Sequence, residues 1–250
     1  MEKMILSKLK SLAIGAIGVM AIWFIAFWVM DSHIMPNPVL VLRAIPGLVD
    51  QNIFAHFRHS FFRVMAGLFS SMAVGLVVGI LAAGNNFVSK LLNPFIYFTY
   101  PIPRIALLPV VMLIFGLGDI SKIIMITLVI VYPTIIVVRD SVKDIPKEIY
   151  NVLTCYGASR LHVFFYITLP WAFSAILSTL RISLGTAIAI LFITETFGTT
   201  FGMGFFIQDA WMRINYVQMY AGIVVLSIVG FLLFMIIDII EDVFLKWKKV

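Results

Sequence analysis

Charge is scarce in this 250-residue sequence: Asp, Glu, Lys and Arg make up 12% of it, where an ordinary soluble domain carries about 25%. With 62% of residues hydrophobic, a single core cannot take in all the apolar surface, and lipid must cover the remainder. The apolar runs share no repeat unit and are continuous rather than striped, which excludes a soluble solenoid. One cysteine, Cys155, excludes an intrachain disulfide and leaves the redox compartment open. No Gly-x-x-x-x-Gly-Lys-Ser/Thr stretch occurs. Without that cradle of backbone N–H groups and its lysine, the chain is not expected to hydrolyse ATP, so it is read as no enzyme. His33, His56 and His59 have no carboxylate at ligand spacing, so no metal site is expected and they are read as interface residues.

What the sequence does hold is apolar runs. Leu12–Met30 is 19 residues long and follows Lys3, Lys8 and Lys10. No small-x-small cleavage site follows it, only Asp31-Ser-His-Ile-Met, so it is read as an uncleaved first span. Val64–Ala83 is uncharged, and Ser71, Gly75, Gly79 and Ala83 recur on one helical face, a stripe that lets another backbone approach closely. Phe95–Leu117 is interrupted by Pro101, Pro103, Arg104 and Pro109. Ile123–Val138 contains Pro133, Trp171–Thr194 contains Arg181, and Met219–Ile237 is closed by Asp238, Glu241 and Asp242. The expectation is an all-α, polytopic membrane protein of about six crossings.

The net charge of +6 belongs to the ends of these runs, which is how a bilayer rather than a nucleic acid uses basic residues. With the N-terminus inside, twelve of the eighteen basic residues fall on the cytoplasmic side: Lys3, Lys8, Lys10, Lys90, Arg104, Arg139, Lys143, Lys147, Arg160, Lys246, Lys248 and Lys249. Arg43, Arg58, Lys122 and Arg213 fall outside, with Arg63 at a boundary. That asymmetry puts both termini in the cytoplasm. On the outer segment Asp31–Phe61, the side chains of Ile53, Phe57 and Phe61 share one face. They suggest an interfacial helix with its polar side to water.

The most specific stretch is the inner loop from Arg139 to Pro170. Pro146 suits a helix start, followed by Lys147–Tyr156. Gly157 permits a sharp turn with positive φ, and Ser159 can cap a second helix ending before Pro170. A helix-turn-helix outside the membrane, mixed in charge and bearing exposed aromatics, suits a protein partner.

Gly157, nine residues, then Ile167-Thr-Leu169-Pro170 resembles half of the cytoplasmic motif of ABC importer permeases: Glu-Ala-Ala, three residues, Gly, nine residues, Ile-x-Leu-Pro. The other half departs from it. Asn151-Val152-Leu153 occupies the Glu-Ala-Ala positions, and Glu148 lies three residues early. Pro101-Ile-Pro103-Arg-Ile-Ala-Leu-Leu108-Pro109 through Phe115-Gly116-Leu-Gly118 is similar to the third span of the nitrate/sulfonate/taurine subfamily. Glu195-Thr-Phe-Gly198-Thr-Thr-Phe-Gly202-Met-Gly204 is similar to the segment after their fifth span, and His59-Ser60-Phe-Phe-Arg63 to the entry of their second. The resemblance runs from about His56 to Asp238.

It implies one permease domain over residues 1–250 with the type I ABC importer permease fold, a core of about 56–240 and a coupling loop at 139–170. The coupling residues are Glu148, Asn151, Gly157, Ala158, Ser159, Arg160, Ile167, Leu169 and Pro170. It also implies a cytoplasmic ATPase dimer that holds ATP and Mg, a second permease copy forming a homodimer, an external solute-binding protein, and a prokaryotic inner membrane. No cofactor is expected on this chain. Nitrate, sulfonates, taurine, bicarbonate and thiamine-precursor pyrimidines are the solutes carried in that class.

Residues that a bilayer would reject are the path candidates. Arg181 lies inside the fifth span, where an unpartnered charge costs at least ~2.5–3.5 kcal/mol. Glu195 stands fourteen residues on, about 21 Å along an ideal helix, so the two cannot pair within one segment. Arg181 is expected either to bond carbonyls freed by Pro101, Pro103 or Pro109, or to attract an anionic solute. Glu195 is expected near the outer side, beside Gly198, Gly202 and Gly204, which allow a tight loop over the cavity. The broken backbone from Tyr100 to Pro109 is the second candidate, since at membrane depth such backbone needs protein or water beside it. An ATP-independent secondary transporter or channel would need several acidic residues paired within spans, and the spans hold almost none. A lipid-modifying membrane enzyme would need clustered His, Asp or Glu near an interface, which the sequence lacks.

Overall fold

The computed structural model describes residues 2–30, 34–99 and 101–244, with side chains for 14–30, 34–99 and 101–241. His33, Tyr100, Lys246, Lys248, Lys249 and the side chains of Lys3, Lys8, Lys10 and Asp242 lie outside the described residues. Among the described residues every regular element is helical. They are α1 (Glu2–Met30), α2 (Pro38–Ala44), α3 (Ile53–Gly84), α4 (Asn86–Thr99), α5 (Leu108–Phe115), α6 (Asp119–Lys143), α7 (Lys147–Cys155), α8 (Arg160–Val163), α9 (Leu169–Glu195), α10 (Met203–Met212) and α11 (Tyr216–Phe244). An all-helical chain satisfies its backbone groups within each segment, which lipid demands.

Four described helices are long and apolar enough to cross a bilayer: Ile53–Gly84, Asp119–Lys143, Arg160–Glu195 and Tyr216–Glu241. Asn86–Thr99 and Arg104–Phe115, which meet at 86°, make a fifth when counted as one broken span. Six is reached when the 29-residue α1 is counted with them, so the expected number holds approximately. The break in the fifth has a sequence cause. Pro101 and Pro103 supply no N–H, and Pro103 pushes Ile102 out of the helical region; α4 runs to Thr99 and the next helical turn opens at Arg104.

The core is built on α6, which packs against α3 on one side and α9 on the other. The small-residue stripe of α3 makes the first contact. A Cβ added at Gly67 would stand 2.6 Å from Ile126 Cγ2, and one at Gly79 2.7 Å from Val138 Cβ. Gly75 likewise abuts Thr134. Backbones can come this close only where side chains are absent, and dispersion contact then replaces the hydrophobic drive that lipid does not supply. Ile126, Ile130, Val138, Leu184, Ala187 and Leu191 fill the layer between the three helices. Outward-facing side chains such as Leu113 (86% exposed) and Phe69 (76%) remain uncovered by the chain itself, as a lipid-facing surface requires.

Two local expectations are corrected. The segment Ile53–Phe61 is no separate interfacial helix but the opening turns of α3. No Gly or Pro interrupts it, and His56 and Ser60, with Arg63 one turn further on, point into the protein, buried, whereas Arg58 is exposed. The buried face mixes Ile53 with His56 and Ser60 while Phe61 faces out, so the segment is not divided into a polar side for water and an apolar side for lipid, and His56 is a core residue. Nor does the helix after Ser159 end before Pro170. Between α8 and α9 a π-helical turn, Phe164–Thr168, carries the chain on into α9. The wider turn absorbs the N–H that Pro170 lacks and relieves its ring.

Candidate functional site

Two places hold the residues singled out by the sequence, one at each end of α6. With 25 residues, that helix separates them by about 37 Å.

At the C-terminal end of α6 stands an elbow. Pro146 precedes α7, whose last turn closes with a Schellman arrangement: Ala158 N–H donates to Leu153 O at 3.1 Å and Gly157 N–H to Thr154 O at 3.0 Å. The motif needs a left-handed residue at the position of Gly157, and its φ is +74°. Ser159 then caps α8, its Oγ accepting from His162 N–H at 3.4 Å and lying 2.7 Å from His162 Nδ1. Inward, Tyr150, Leu153 and Val163 pack against the main core, whose buried members include Val142, Ile145 and Ile167. Outward, Glu148, Asn151, Val152, Gly157, Ser159 and Arg160 are exposed, and so are Tyr156, Leu161 and Tyr166. Ala158 and Leu169 are half-buried, and Pro170 is exposed. An elbow rooted in the core, with an exposed outer face of mixed polar and apolar side chains, can transmit a push.

At the other end, α3, α6 and the loop after α9 meet around a buried ion-pair network. Glu195 is fully buried. Its Oε1 receives Arg63 Nη1 at 2.6 Å, both its oxygens lie 2.8 Å from Ser60 Oγ, and Oε2 accepts Gly204 N–H at 2.8 Å. Arg63, 3% exposed, also donates through Nε and Nη2 to Asp119 Oδ1 (2.8 and 2.5 Å) and through Nη1 to Phe201 O (2.8 Å). Met203 N–H donates to Ser60 Oγ at 2.7 Å and Gly202 N–H to His56 Nδ1 at 3.1 Å. Lys122, also buried, donates to Leu117 O. Gly198 and Gly202 hold φ of +59° and +149°, and a Cβ on Gly204 would strike Phe192 O at 2.7 Å. Gly198 and Gly202 thus shape a tight loop wrapped on the Glu195 carboxylate, and Gly204 lies in the first turn of α10.

Glu195 stands out in the sequence, but its partners do not. The available signal was Ser60 and Arg63 one turn apart beside an uncharged 20-residue run, with Asp119 four residues before the fourth run. Charges at the mouths of apolar runs find each other when burial leaves them nothing else.

Arg181 meets neither proline-freed carbonyls nor Glu195. Its guanidinium pairs with Asp238 and stands 3.7 Å from Glu241 on α11. The bent segment has its own feature. Arg104 lies over the Tyr132 ring at 4.4 Å, a cation–π contact. An open hollow of about 520 Å³ is lined by Asn93, Ile96, Tyr97, Phe98, Pro101 and Ile136. Pro103 and Pro109 are exposed along the same bend. Among the described residues no group of three His, Cys, Asp or Glu is placed to hold a metal.

Comparison with known proteins gives this geometry a context. The chain is 32% identical over 237 residues to the taurine transport system permease protein TauC of Escherichia coli, covering 91% of this chain and 86% of that protein. It is 27% identical over 244 residues to the aliphatic sulfonates transport permease protein SsuC of Bacillus subtilis, described as putative, covering 96% and 88%. In fold it is similar to the inward-facing MetNI methionine ABC transporter, with TM-score 0.65 and 20% identity over 74% of this chain and 93% of that one. Residues 75–250 match the family described as binding-protein-dependent transport system inner membrane component. The chain belongs to that family, as a multi-pass ABC importer permease of the sulfonate and taurine type.

Proposed function

We propose that this permease is driven by ATP hydrolysed on a separate cytoplasmic ATPase dimer, which holds ATP and Mg and docks on the α7 elbow. The observation that carries the reading is the elbow itself. Its outer face is exposed and partly apolar, its inner face is packed into the core between α6 and α9, and Gly157 adopts the left-handed turn that its motif requires. Closure of the ATPase dimer would then move packed helices as rigid bodies. In this reading both termini and α7 face the cytoplasm of a prokaryotic cell, two copies of the chain form the path, and an external binding protein delivers the solute. This chain binds no cofactor. Residues 1–250 act as one domain, with the coupling contacts spread over Glu148, Asn151, Gly157–Arg160, Ile167, Leu169 and Pro170.

The solute is an organic sulfonate or a similar small anion. The names of the relatives favour it, and Arg104 beside the Pro101–Pro109 bend supplies a cation where broken backbone can line a path. Glu195 is fully enclosed, so its contribution to the path is indirect. Reconstitution into liposomes with the ATPase and a binding protein tests this. ATP-dependent accumulation of taurine or a short alkanesulfonate is expected, and solute movement by the purified chain alone would contradict it.

A further inference from the structure

The turn 116–118 joins α5 to α6, and the loop 196–202 joins α9 to α10. The two meet where Leu117 packs on Gly198: a Cβ built on Gly198 would lie 3.2 Å from Leu117 Cβ. Each is also fastened, independently, to α3. His56, Ser60 and Arg63 stand on one face of that helix at spacings of four and three. His56 holds Gly202, Ser60 holds Glu195 and Met203, and Arg63 holds Glu195, Phe201 and Asp119. Of these, only Arg63 reaches both the first residue of α6 and the last residue of α9. Those are the two helices between which the elbow is strung.

We infer that Arg63 is a positioning residue of the transport cycle: it clamps the turn 116–118 and the loop 196–202 into one rigid lip at the end of the bundle opposite α7. It touches no solute and acts through Asp119 and Glu195. A push at the elbow travels along α6 and α9 together, and the clamp makes their far ends arrive as one body. The planar guanidinium suits this task, because its fork addresses two carboxylates in fixed directions, which an ammonium does not. Lys122 secures the same turn from the other side through Leu117 O, so two cations and two carboxylates balance within the lip. The inference rests on the permease reading above.

A covalent substitute for the clamp supplies the test. In a Cys155→Ser background, Leu117→Cys with Gly198→Cys sets two Cβ atoms 3.2 Å apart, a few tenths of an ångström closer than a relaxed disulfide; the left-handed backbone at Gly198 strains the oxidised and reduced pair alike, so the two are compared with each other. Uptake is measured in the full complex with whichever of taurine and short alkanesulfonates the wild type takes up. A rigid lip tolerates the cross-link, so uptake by the oxidised pair stays within about twofold of the reduced pair. Arg63→Gln leaves the Glu195 carboxylate buried without its cation and is expected to lower the amount of assembled complex, and in the complexes that do assemble to lower solute taken up per ATP hydrolysed by about tenfold. The disulfide should restore that ratio. A purely stabilising role would instead lower assembly, ATP turnover and uptake in step. If Arg63→Gln does not accumulate, Arg63→Lys, which keeps the charge and loses the fork, is read the same way. Loss of uptake on cross-linking alone, or an unchanged uptake-to-ATP ratio in the clamp variant, overturns the inference. Absence of ATP-dependent uptake in the wild type would overturn the permease reading itself.

Discussion

Arg63 and Glu195, 132 positions apart, meet with Nη1 and Oε1 at 2.6 Å in a site that water does not reach. The pair joins the start of the first long core helix to the end of the third. Removing one partner leaves the other charge buried without compensation. Glu195→Ala is therefore expected to destabilise the protein by about 3–5 kcal/mol, seen as a marked fall in the temperature of detergent-solubilised unfolding. Glu195→Gln keeps an acceptor for Gly204 N–H and should lose less.

The glycine stripe predicts an asymmetry among glycines. Gly79→Ala pushes a methyl to 2.7 Å from Val138, and overpacking of that kind costs about 1–3 kcal/mol. Gly75→Ala meets Thr134 in the same way. Gly15 and Gly18 on α1 face nothing within 4 Å, so alanine there should leave thermal stability unchanged. The same unfolding assay compares all four variants.

At Gly157 there is open space around the position of a Cβ, so any penalty comes from backbone alone. A β-branched residue held left-handed costs about 1–2 kcal/mol, enough to unwind the end of α7. Gly157→Val should weaken co-purification of the ATPase and uptake, while Gly157→Asn, which tolerates that conformation, should keep most of both.

Much of this elbow was legible because it is local. Pro146, Gly157 and Ser159 each act within a few residues, and the chain does with them what their chemistry dictates. Pro170 misled because a proline's cost can be absorbed by a wider helical turn, which only the packing of Ile167 and its neighbours decides. The amphipathic pattern of Ile53–Phe61 misled for a related reason. Polar side chains look the same in sequence whether water or a buried carboxylate awaits them. The bundle was readable from apolar runs and the α3 stripe, whereas the Arg63 network joins four separate stretches and has no local signature.

Arg181 offers a test of pairing against solute attraction. It pairs with Asp238 and Glu241 on α11 at a face the chain leaves partly uncovered. If pairing is its task, Arg181→Asp combined with Asp238→Arg should recover the uptake that either single change lowers. A cation needed for an anionic solute at that spot would not be recovered by the exchange.

Cys155 closes α7, is exposed, and is the one cysteine of the sequence, so the natural chain carries its own reporter. A membrane-impermeant maleimide should label it in inverted vesicles and not in intact spheroplasts, and bound ATPase should slow the reaction. Labelling from the outside of intact cells, or a rate indifferent to the ATPase, would contradict the account of α7 as the cytoplasmic lever.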